Sequence, residues 1–311
     1  MRKTFFGRSI IMLSYVVFLC QHFVSASVGT TGAQFLKIGP SARALGMAGA
    51  FSAVSDDVYA LWFNPAGLVQ LQKNELSATY LKYFADVDFG FLGYAKPDAT
   101  FGPIAFGITY LIVKDIEKRN EKEELLGNFN AKDIALTVAY AKNNPLPQVL
   151  PGLNLGGNIK FIQSEIDQIV AYTLSLDIAL MYSPTEKINT AILIQNISYG
   201  IKFKNETDPL PLNLKFALAA KPQKKLTVGT EIDGFIVDQK LYLSLGGEYW
   251  VIPNIAVRCG YKSGYDTASL GSIVGLCAGL GFRIWNIGID YAFVPFGELG
   301  DTHRVSLLVK F

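Results

Sequence analysis

The sequence predicts an all-β protein: a transmembrane antiparallel β-barrel of about fourteen strands, with a small N-terminal helical hatch that plugs the lumen. Three observations lead to this prediction. An export signal opens the chain, about fourteen stretches alternate between apolar and polar residues, and the last stretch ends on the C-terminal Phe311. Inside a bilayer every backbone N–H and C=O must bond within the protein, so a chain without long apolar helices has to cross as a closed sheet.

Residues 1–26 have the layout of a secretory signal peptide. Basic residues at Arg2-Lys3 precede an apolar run from Ile10 to Leu19, and Val24-Ser25-Ala26 forms a small-residue cleavage site. We expect cleavage after Ala26. The alternative is a membrane-anchoring helix, which needs about twenty apolar residues, roughly twice the length of this run.

The composition agrees with a barrel. Half of the residues are hydrophobic and the mean hydropathy is +0.27, which is high for a soluble domain. After the signal, however, no apolar run approaches the length of about eighteen residues that a membrane helix needs. The signal holds three of the 28 basic residues and none of the 26 acidic ones, so the remaining chain is nearly neutral and implies no nucleic-acid partner.

Period-two alternation predicts the individual strands. Between Tyr172 and Tyr182 the even-numbered residues are large and apolar or aromatic, whereas Thr173, Ser175 and Asp177 are small or polar. The second of the fourteen segments alternates poorly. The predicted strands, most of them about ten residues long, begin near Glu75, Asp88, Pro103, Lys132, Leu153, Val170, Ile188, Pro211, Lys225, Lys240, Asn254, Ile273, Asn286 and His303.

The connections predict the orientation of the barrel. Turns such as Ser183 to Glu186 are short, whereas Val113 to Ala131, Tyr199 to Leu210 and Lys262 to Ser272 are longer and more polar. In outer-membrane barrels short turns face the periplasm and longer loops face outwards. The proline-rich segment Lys142 to Pro151 is an exception, being long on the predicted periplasmic side. Aromatic residues near strand ends suit an interfacial girdle: Tyr110, Tyr140, Tyr182, Tyr249 and Trp250.

A secreted β-sandwich would also alternate with period two and carry an export signal. Its polar faces would meet water, and they would be richer in Lys, Glu and Asp than the Gly-, Ala-, Ser- and Thr-rich faces of this chain. The sequence therefore favours the barrel.

The segment Gly29 to Gln72 is rich in Gly and Ala and lacks alternation. Ser41 to Ala48 and Asp56 to Phe63 are each predicted to form a short helix, the second led by the acidic pair Asp56-Asp57 and stopped before Pro65. Because a barrel of fourteen strands is too wide for its own side chains to fill, residues 27–74 are predicted to plug the lumen and residues 75–311 to form the barrel.

A motif in this segment is similar to one found in a known protein family. Gly39-Pro40-Ser41-Ala42-Arg43-Ala44-Leu45-Gly46-Met47-Ala48-Gly49-Ala50 is followed by Asp56-Asp57 and by Asn64-Pro65-Ala66-Gly67-Leu68. This stretch resembles the N-terminal region of the PorV/PorQ proteins, which are themselves similar to the FadL family of long-chain fatty-acid channels. The positions taken as the hatch motif are Gly39, Pro40, Arg43, Gly46, Met47, Gly49, Asp56, Asp57, Asn64, Pro65, Ala66 and Gly67.

The resemblance implies a hatch inside a fourteen-strand barrel of the outer membrane, with Asn64, Pro65 and Ala66 near a lateral opening through which apolar ligands leave. The implied function is passive uptake of hydrophobic small molecules such as long-chain fatty acids. The alternative is a PorV-like interaction protein that shuttles or anchors secreted cargo in a type IX secretion-like system. The expected partners are outer-membrane lipid, the hydrophobic ligand, and the barrel-assembly machinery, which would recognise the C-terminal strand ending at Phe311.

Charged residues at inward-facing strand positions are expected to pair with one another and with the hatch in a wet lumen. A sharper hypothesis is that one basic residue holds a ligand carboxylate, with Lys160, Lys215, Arg283 and Arg304 as the candidates. The inward acidic residues are Asp177, Glu231, Asp233, Glu248 and Asp290. The charged run Lys114 to Glu124 is interpreted as a solvated outer loop.

Neither an enzyme nor a metal or cofactor site is predicted. Beyond the signal the only histidine is His303, at the entrance to the last strand and without a cysteine or carboxylate cluster at ligand spacing. Cys259 and Cys277 fall on opposite faces of neighbouring strands, so no disulfide is expected. Inward-facing glycines at 275, 279 and 281 are expected to make room in the lumen.

Overall fold

The computed structural model describes residues 31–82, 87–265, 271, 273–297 and 300–311. The predicted signal peptide and its cleavage site lie outside these ranges, as does part of the predicted loop from Lys262 to Ser272. Within these ranges no helix combines the length and the apolar character needed to cross a membrane.

The strands close into a barrel of fourteen antiparallel strands, as the sequence predicts. Each strand of the barrel pairs with the next barrel strand along the chain, and the first and last strands close the barrel through pairs such as Glu75 with Lys310. The strands of the barrel are β1 (Glu75–Lys82), β2 (Val87–Lys96), β3 (Ile104–Arg119), β4 (Leu125–Asn143), β5 (Leu153–Ile166), β6 (Ile169–Thr185), β7 (Ile188–Ile197), β10 (Asn213–Gln223), β11 (Leu226–Phe235), β12 (Lys240–Ile252), β13 (Ile255–Ser263), β14 (Leu276–Ile284), β15 (Ile287–Pro295) and β16 (Asp301–Lys310).

Side chains alternate between the two faces of the wall. On β6, Leu174, Ile178 and Leu180 are 62%, 48% and 38% exposed, whereas Ser175 and Asp177 between them are buried. The exposed face carries the larger apolar side chains on nearly every strand. An apolar exterior around a polar interior is the arrangement that a barrel needs in a bilayer.

The two ends of the barrel differ. Both barrel termini, at Glu75 and Lys310, lie at one end, which we call the terminal end. Its connections include the two-residue links between β6 and β7, β10 and β11, β12 and β13, and β14 and β15. We call the opposite end the loop end. By the length of its turns the terminal end is the predicted periplasmic end, and the long connection between β4 and β5 lies there as predicted.

The prediction that Val113 to Ala131 forms a loop is wrong. β3 and β4 continue as a two-stranded ribbon beyond their neighbours, with Ile116 paired to Phe129, and turn only between Arg119 and Leu125. The charged run Lys114 to Glu124 is exposed, as expected, but most of it is strand. With its closely spaced charges, the sequence of this ribbon does not alternate between apolar and polar residues, because both faces of a ribbon that stands in water can be polar.

A second difference lies between β7 and β10. The predicted loop Tyr199 to Leu210 contains a small separate sheet, β8 (Ile201–Phe203) and β9 (Glu206–Asp208). Its Ile201 and neighbouring Leu210 are buried against the hatch residue Phe35. Gly275 also departs from its prediction, because it precedes β14 at a φ of +92° instead of facing inwards within a strand.

The described residues 31–74, which we call the hatch, contain four short helices: η1 (Gln34–Lys37), α1 (Ala42–Gly46), α2 (Ala60–Phe63) and η2 (Pro65–Gln70). The predicted helix from Asp56 to Phe63 is thus shortened to its last turn, because Asp57 accepts a hydrogen bond from the Tyr59 amide in a preceding turn. Fully buried Phe51 packs edge-on against Phe63 at 5.4 Å between ring centroids, in an apolar core that the hatch shares with inward-facing side chains of the wall such as Phe91 and Leu193.

Candidate functional site: the hatch and the chamber beside it

One arginine ties the hatch to the barrel wall. The Arg43 guanidinium on α1 donates two hydrogen bonds of 2.8 Å to Glu248 on β12. The same group lies 2.6 Å from Asp56 and 2.9 Å from Asp57 within the hatch. Arg43 therefore holds two parts of the hatch together and fastens both of them to the wall, and charge-assisted bonds of this kind are strong when buried.

The two neighbouring carboxylates in this cluster respond differently to it. Burial raises the pKa of Asp57, and the attraction of Arg43 offsets only part of that effect. Burial acts in the same direction on Asp56, but attraction to Arg43 and to Lys221 of β10 outweighs it and lowers the pKa of Asp56. The Asp56 carboxylate therefore stays ionised to a lower pH than the Asp57 carboxylate.

The cluster continues into the wall. Arg258 on β13 lies 2.7 Å from Glu248 and 2.9 Å from Asp290, and Arg283 lies 2.9 Å from Asp290. The inward charges thus pair with one another and with the hatch, as the sequence predicts. Arg258 is not among the predicted inward charges, although its alternation with the outward Cys259 indicates an inward position.

Two further carboxylates of the wall hold hatch backbone. Glu231 accepts hydrogen bonds from the amides of Phe51 and Ser52, at 3.2 and 2.8 Å. Glu75 accepts one from Val58 at 2.8 Å and forms an ion pair with Lys310 at the seam of the barrel. The wall therefore provides buried acceptors for backbone amides in the turns of the hatch, and the Phe51 amide also donates to the Gly49 carbonyl within the hatch at 2.7 Å.

Glycines on the inner face of the wall let the hatch backbone approach closely. A Cβ atom at Gly260 would lie 2.6 Å from the Met47 carbonyl carbon, and one at Gly46 would lie 3.1 Å from the Cα of Gly279. Gly156 on β5 gives similar access to Pro65. These positions have no room for a larger side chain while the hatch is docked.

The Asn64-Pro65-Ala66 element packs against the wall at β4, β5 and β6. The Asn64 side chain donates to the Ser52 carbonyl at 2.7 Å and accepts from the Ala66 amide at 3.0 Å. Strands β4 and β5 pair without a break from Ala131 to Asn143. The lateral opening that the resemblance implies there stays a prediction.

The remaining motif residues have structural positions of their own. The Gly39 carbonyl accepts a 2.8 Å hydrogen bond from Arg304, and Gly49 adopts a φ of +83° just after α1. A Cβ atom at Gly67 would collide with the backbone of Ser55. Pro40 directly precedes Ser41, whose side chain caps α1.

A chamber of about 250 Å³ lies between the hatch and the loop end. Its walls combine apolar and charged side chains, including Leu36, Leu45, Phe63, Lys215, Lys262 and Arg304. Lys215 lies 2.9 Å from Glu231 and 3.0 Å from Asp233, and Lys262 lies 3.2 Å from Asp233. The chamber can therefore surround an apolar body and offer charged groups to a polar one.

The four candidates for a ligand carboxylate separate into two groups. Lys215 and Arg304 line the chamber. Lys160 lies elsewhere and contacts Asp177 at 2.7 Å and Asn196 at 2.8 Å, and Arg283 lies at the terminal end against Asp290. The structure thus brings two of the four to one cavity, and a role for any of them in ligand binding stays a prediction.

Other predicted positions can be placed as well. His303 faces outwards, where its Nδ1 lies 2.7 Å from the Tyr291 hydroxyl. Cys259 is exposed, Cys277 is buried, and both are free thiols. Phe311 exchanges backbone hydrogen bonds with Asn74 at the seam. In the described part of the chain no group of His, Cys, Asp or Glu side chains could hold a metal ion.

Comparison with known proteins gives a family and a fold. The profile of the family described as type IX secretion system protein PorV matches residues 22–242, more than two thirds of the chain. No protein with a curated description matches.

Three solved structures share the fold at 13% identity. The CymD monoaromatic hydrocarbon channel has a TM-score of 0.58, with 88% of this chain and 97% of that chain covered. The Ralstonia pickettii toluene transporter TbuX gives 0.58, with coverage of 88% and 98%. A FadL homologue of Pseudomonas aeruginosa gives 0.57, with coverage of 86% and 97%. At this identity the likeness shows the fold alone.

Proposed function

The chain belongs to the PorV family, and from this premise we propose that it is an outer-membrane channel for passive uptake of hydrophobic small molecules such as long-chain fatty acids. The observation that carries this proposal is the chamber between the hatch and the loop end, where Leu36, Leu45 and Phe63 provide apolar walls. Structures of the same fold bear the names of hydrocarbon channels and a toluene transporter, and those names support the same class of ligand.

The proposed route begins at the loop end. A ligand enters the chamber, where its apolar part contacts the hatch and a polar end meets Lys215 or Arg304. Passage beyond the chamber requires the hatch to shift or the wall to open near Asn64-Pro65-Ala66. The proposal includes removal of the signal peptide after Ala26 and recognition of the strand ending at Phe311 by the barrel-assembly machinery.

The test is uptake of labelled fatty acid and of a labelled monoaromatic hydrocarbon by vesicles that contain the purified barrel. Val294 faces inwards and lines the chamber, so Val294→Trp is expected to reduce uptake by filling it. Val305 faces outwards on β16, and Val305→Trp is the matched control, which should keep uptake. Uptake no faster than in protein-free vesicles, with a correctly folded barrel, would contradict the proposal.

A second candidate function is that of an interaction protein that anchors or shuttles secreted cargo. The family profile favours it, because the family is described as a component of type IX secretion. The ribbon of β3 and β4 favours it too, since it extends beyond its neighbours and exposes Leu125 and Leu126 at 59% each.

Site-specific photo-crosslinking distinguishes the two functions. A crosslinker in place of Leu126 should capture a secretion component or a cargo protein in native cells, whereas the same group at the outward Leu174 should reach only lipid. If Leu126 captures no protein and lipid is the only molecule that copurifies, the channel proposal is favoured.

A further inference from the structure

An apolar groove of about 270 Å³ lies on the outer face of the wall, across β1, β2, β3 and β4. Its sides are formed by side chains that point away from the lumen, among them Leu76, Leu92, Phe106, Ile108, Leu136 and Val138. Leu92, Phe106, Ile108 and Val138 are each 43–50% exposed. The chamber beside the hatch lies inside the barrel, whereas this groove is on the outer face.

The strand register places the groove near the terminal end. Tyr94 is opposite both Leu76 and Phe106, in one row of the groove. On β2 the same face continues from Tyr94 to Lys96, the last residue of the strand. Since a strand rises about 3.3 Å per residue, the Lys96 backbone lies about 7 Å beyond that of Tyr94. The end of the groove thus adjoins the membrane interface.

Two lysines stand at that interface. Lys96 and Lys142 are both exposed on the outer face, and neither forms an ion pair within the described part of the chain. The inward cations of the terminal end differ, because Lys310 pairs with Glu75. The carboxylate of Asp98, in the turn after β2, accepts hydrogen bonds from the Phe101 and Thr100 amides at 2.7 and 2.8 Å, and these bonds, together with a weaker attraction to Lys96, lower its pKa.

We propose that the groove and these two lysines bind one anionic phospholipid of the leaflet at the terminal end. One acyl chain lies in the groove, and the phosphate group lies between Lys96 and Lys142. The groove offers hydrocarbon contacts, and exposed cations beside a membrane span attract anionic headgroups. Tyr94 and Tyr140 have the interfacial position that aromatic rings favour in membrane proteins. The proposal is independent of what the lumen transports.

Native mass spectrometry of the purified full-length barrel in detergent tests the charge requirement. Phosphatidylglycerol, which is anionic, and phosphatidylcholine, which has no net charge, are added at equal concentrations. Retention of phosphatidylglycerol is expected to exceed that of phosphatidylcholine. In Lys96→Gln/Lys142→Gln it should fall by about 30-fold, the effect of two cations at a membrane surface. The control is Lys224→Gln/Lys225→Gln at the turn between β10 and β11, which removes the same charge elsewhere.

A second variant tests the groove itself. Ile108→Trp keeps the outer face apolar but fills the groove, so retention of both lipids should fall, whereas Ile178→Trp on β6 should change neither. Equal loss of phosphatidylglycerol in the two double-lysine variants would show general surface attraction and overturn the proposal. Equal retention of the two lipids by the unmodified protein, or an Ile108→Trp protein that binds like the unmodified one, would also overturn it.

Discussion

Removing the Arg43 side chain by Arg43→Met should release the hatch without unfolding the barrel. Arg43 bonds Asp56, Asp57 and Glu248 together. Methionine keeps an apolar chain of similar length but leaves buried carboxylates with fewer counter-charges. The barrel itself rests on backbone pairing between strands, to which this side chain does not contribute.

The cost of the Arg43→Met substitution depends on the ion pairs that its carboxylate partners keep. Loss of one partner of a buried ion pair costs about 3–5 kcal/mol. Glu248 keeps Arg258 and Asp56 keeps Lys221, so the lower end of that range applies. Since about 1.4 kcal/mol corresponds to a factor of ten, the ratio of docked to undocked hatch should fall by about a hundredfold.

Hydrogen exchange measured by mass spectrometry reports this ratio. The amides of Ser52 and Val58 bond to barrel carboxylates, so they exchange only when the hatch leaves the wall. In Arg43→Met they should exchange about a hundredfold faster, while amides of β6 keep their protection.

Arg283→Met is the matched control, because Arg283 pairs with Asp290 of the neighbouring strand and has no hatch residue among its hydrogen-bond partners. Its hatch amides should exchange at the rate of the unmodified protein. The reasoning is refuted if Arg43→Met leaves hatch exchange unchanged in a folded barrel, or if both variants accelerate it equally.

Three other substitutions test the packing. Gly260→Val places side-chain atoms where the Met47 backbone lies, so hatch amides should lose protection in exchange experiments while heat-modified gel mobility still shows a folded barrel. Leu176→Arg puts a charge on the lipid face and should lower the free energy of unfolding in vesicles by about 2–4 kcal/mol if it lies near the bilayer midplane; an unchanged urea midpoint would contradict that position. Asp238→Asn removes the 2.8 Å ion pair with Lys37, and exchange at the start of the hatch should accelerate severalfold while the rest of the hatch keeps its rate.

Much of the fold of this chain can be predicted from the local pattern of its residues. A strand places successive side chains on opposite faces, so the face of Asp177, Glu231 or Arg304 follows from the residues beside it in sequence. The same rule does not detect the ribbon between Val113 and Ala131. Both faces of that segment are in water, so apolar and polar residues need not alternate along it. The helix predicted from Asp56 is too long because the Asp57 carboxylate accepts a hydrogen bond from the Tyr59 amide in a turn before α2.

The contacts within the candidate site cannot be predicted from the local pattern of residues. The motif marked Arg43, Asp56 and Asp57 as a set, but their barrel partner Glu248 is 205 residues away from Arg43. Nothing in the alternation of β12 distinguishes Glu248 from other inward carboxylates. Arg258 could be recognised as inward from its own strand, yet its role between Glu248 and Asp290 depends on the neighbouring strands.

Local sequence patterns are enough to predict that this chain is a barrel with an apolar exterior. They also predict the number of barrel strands, the inward or outward face of most strand residues and the separate character of the N-terminal segment. These properties follow from periodicity over about ten residues, which is a local quantity. Three-dimensional packing is needed to show which inward charges meet, where the hatch backbone touches a glycine, and that a chamber remains beside the hatch. Those contacts join residues far apart in the chain, and their geometry exists only after the last strand has paired with the first.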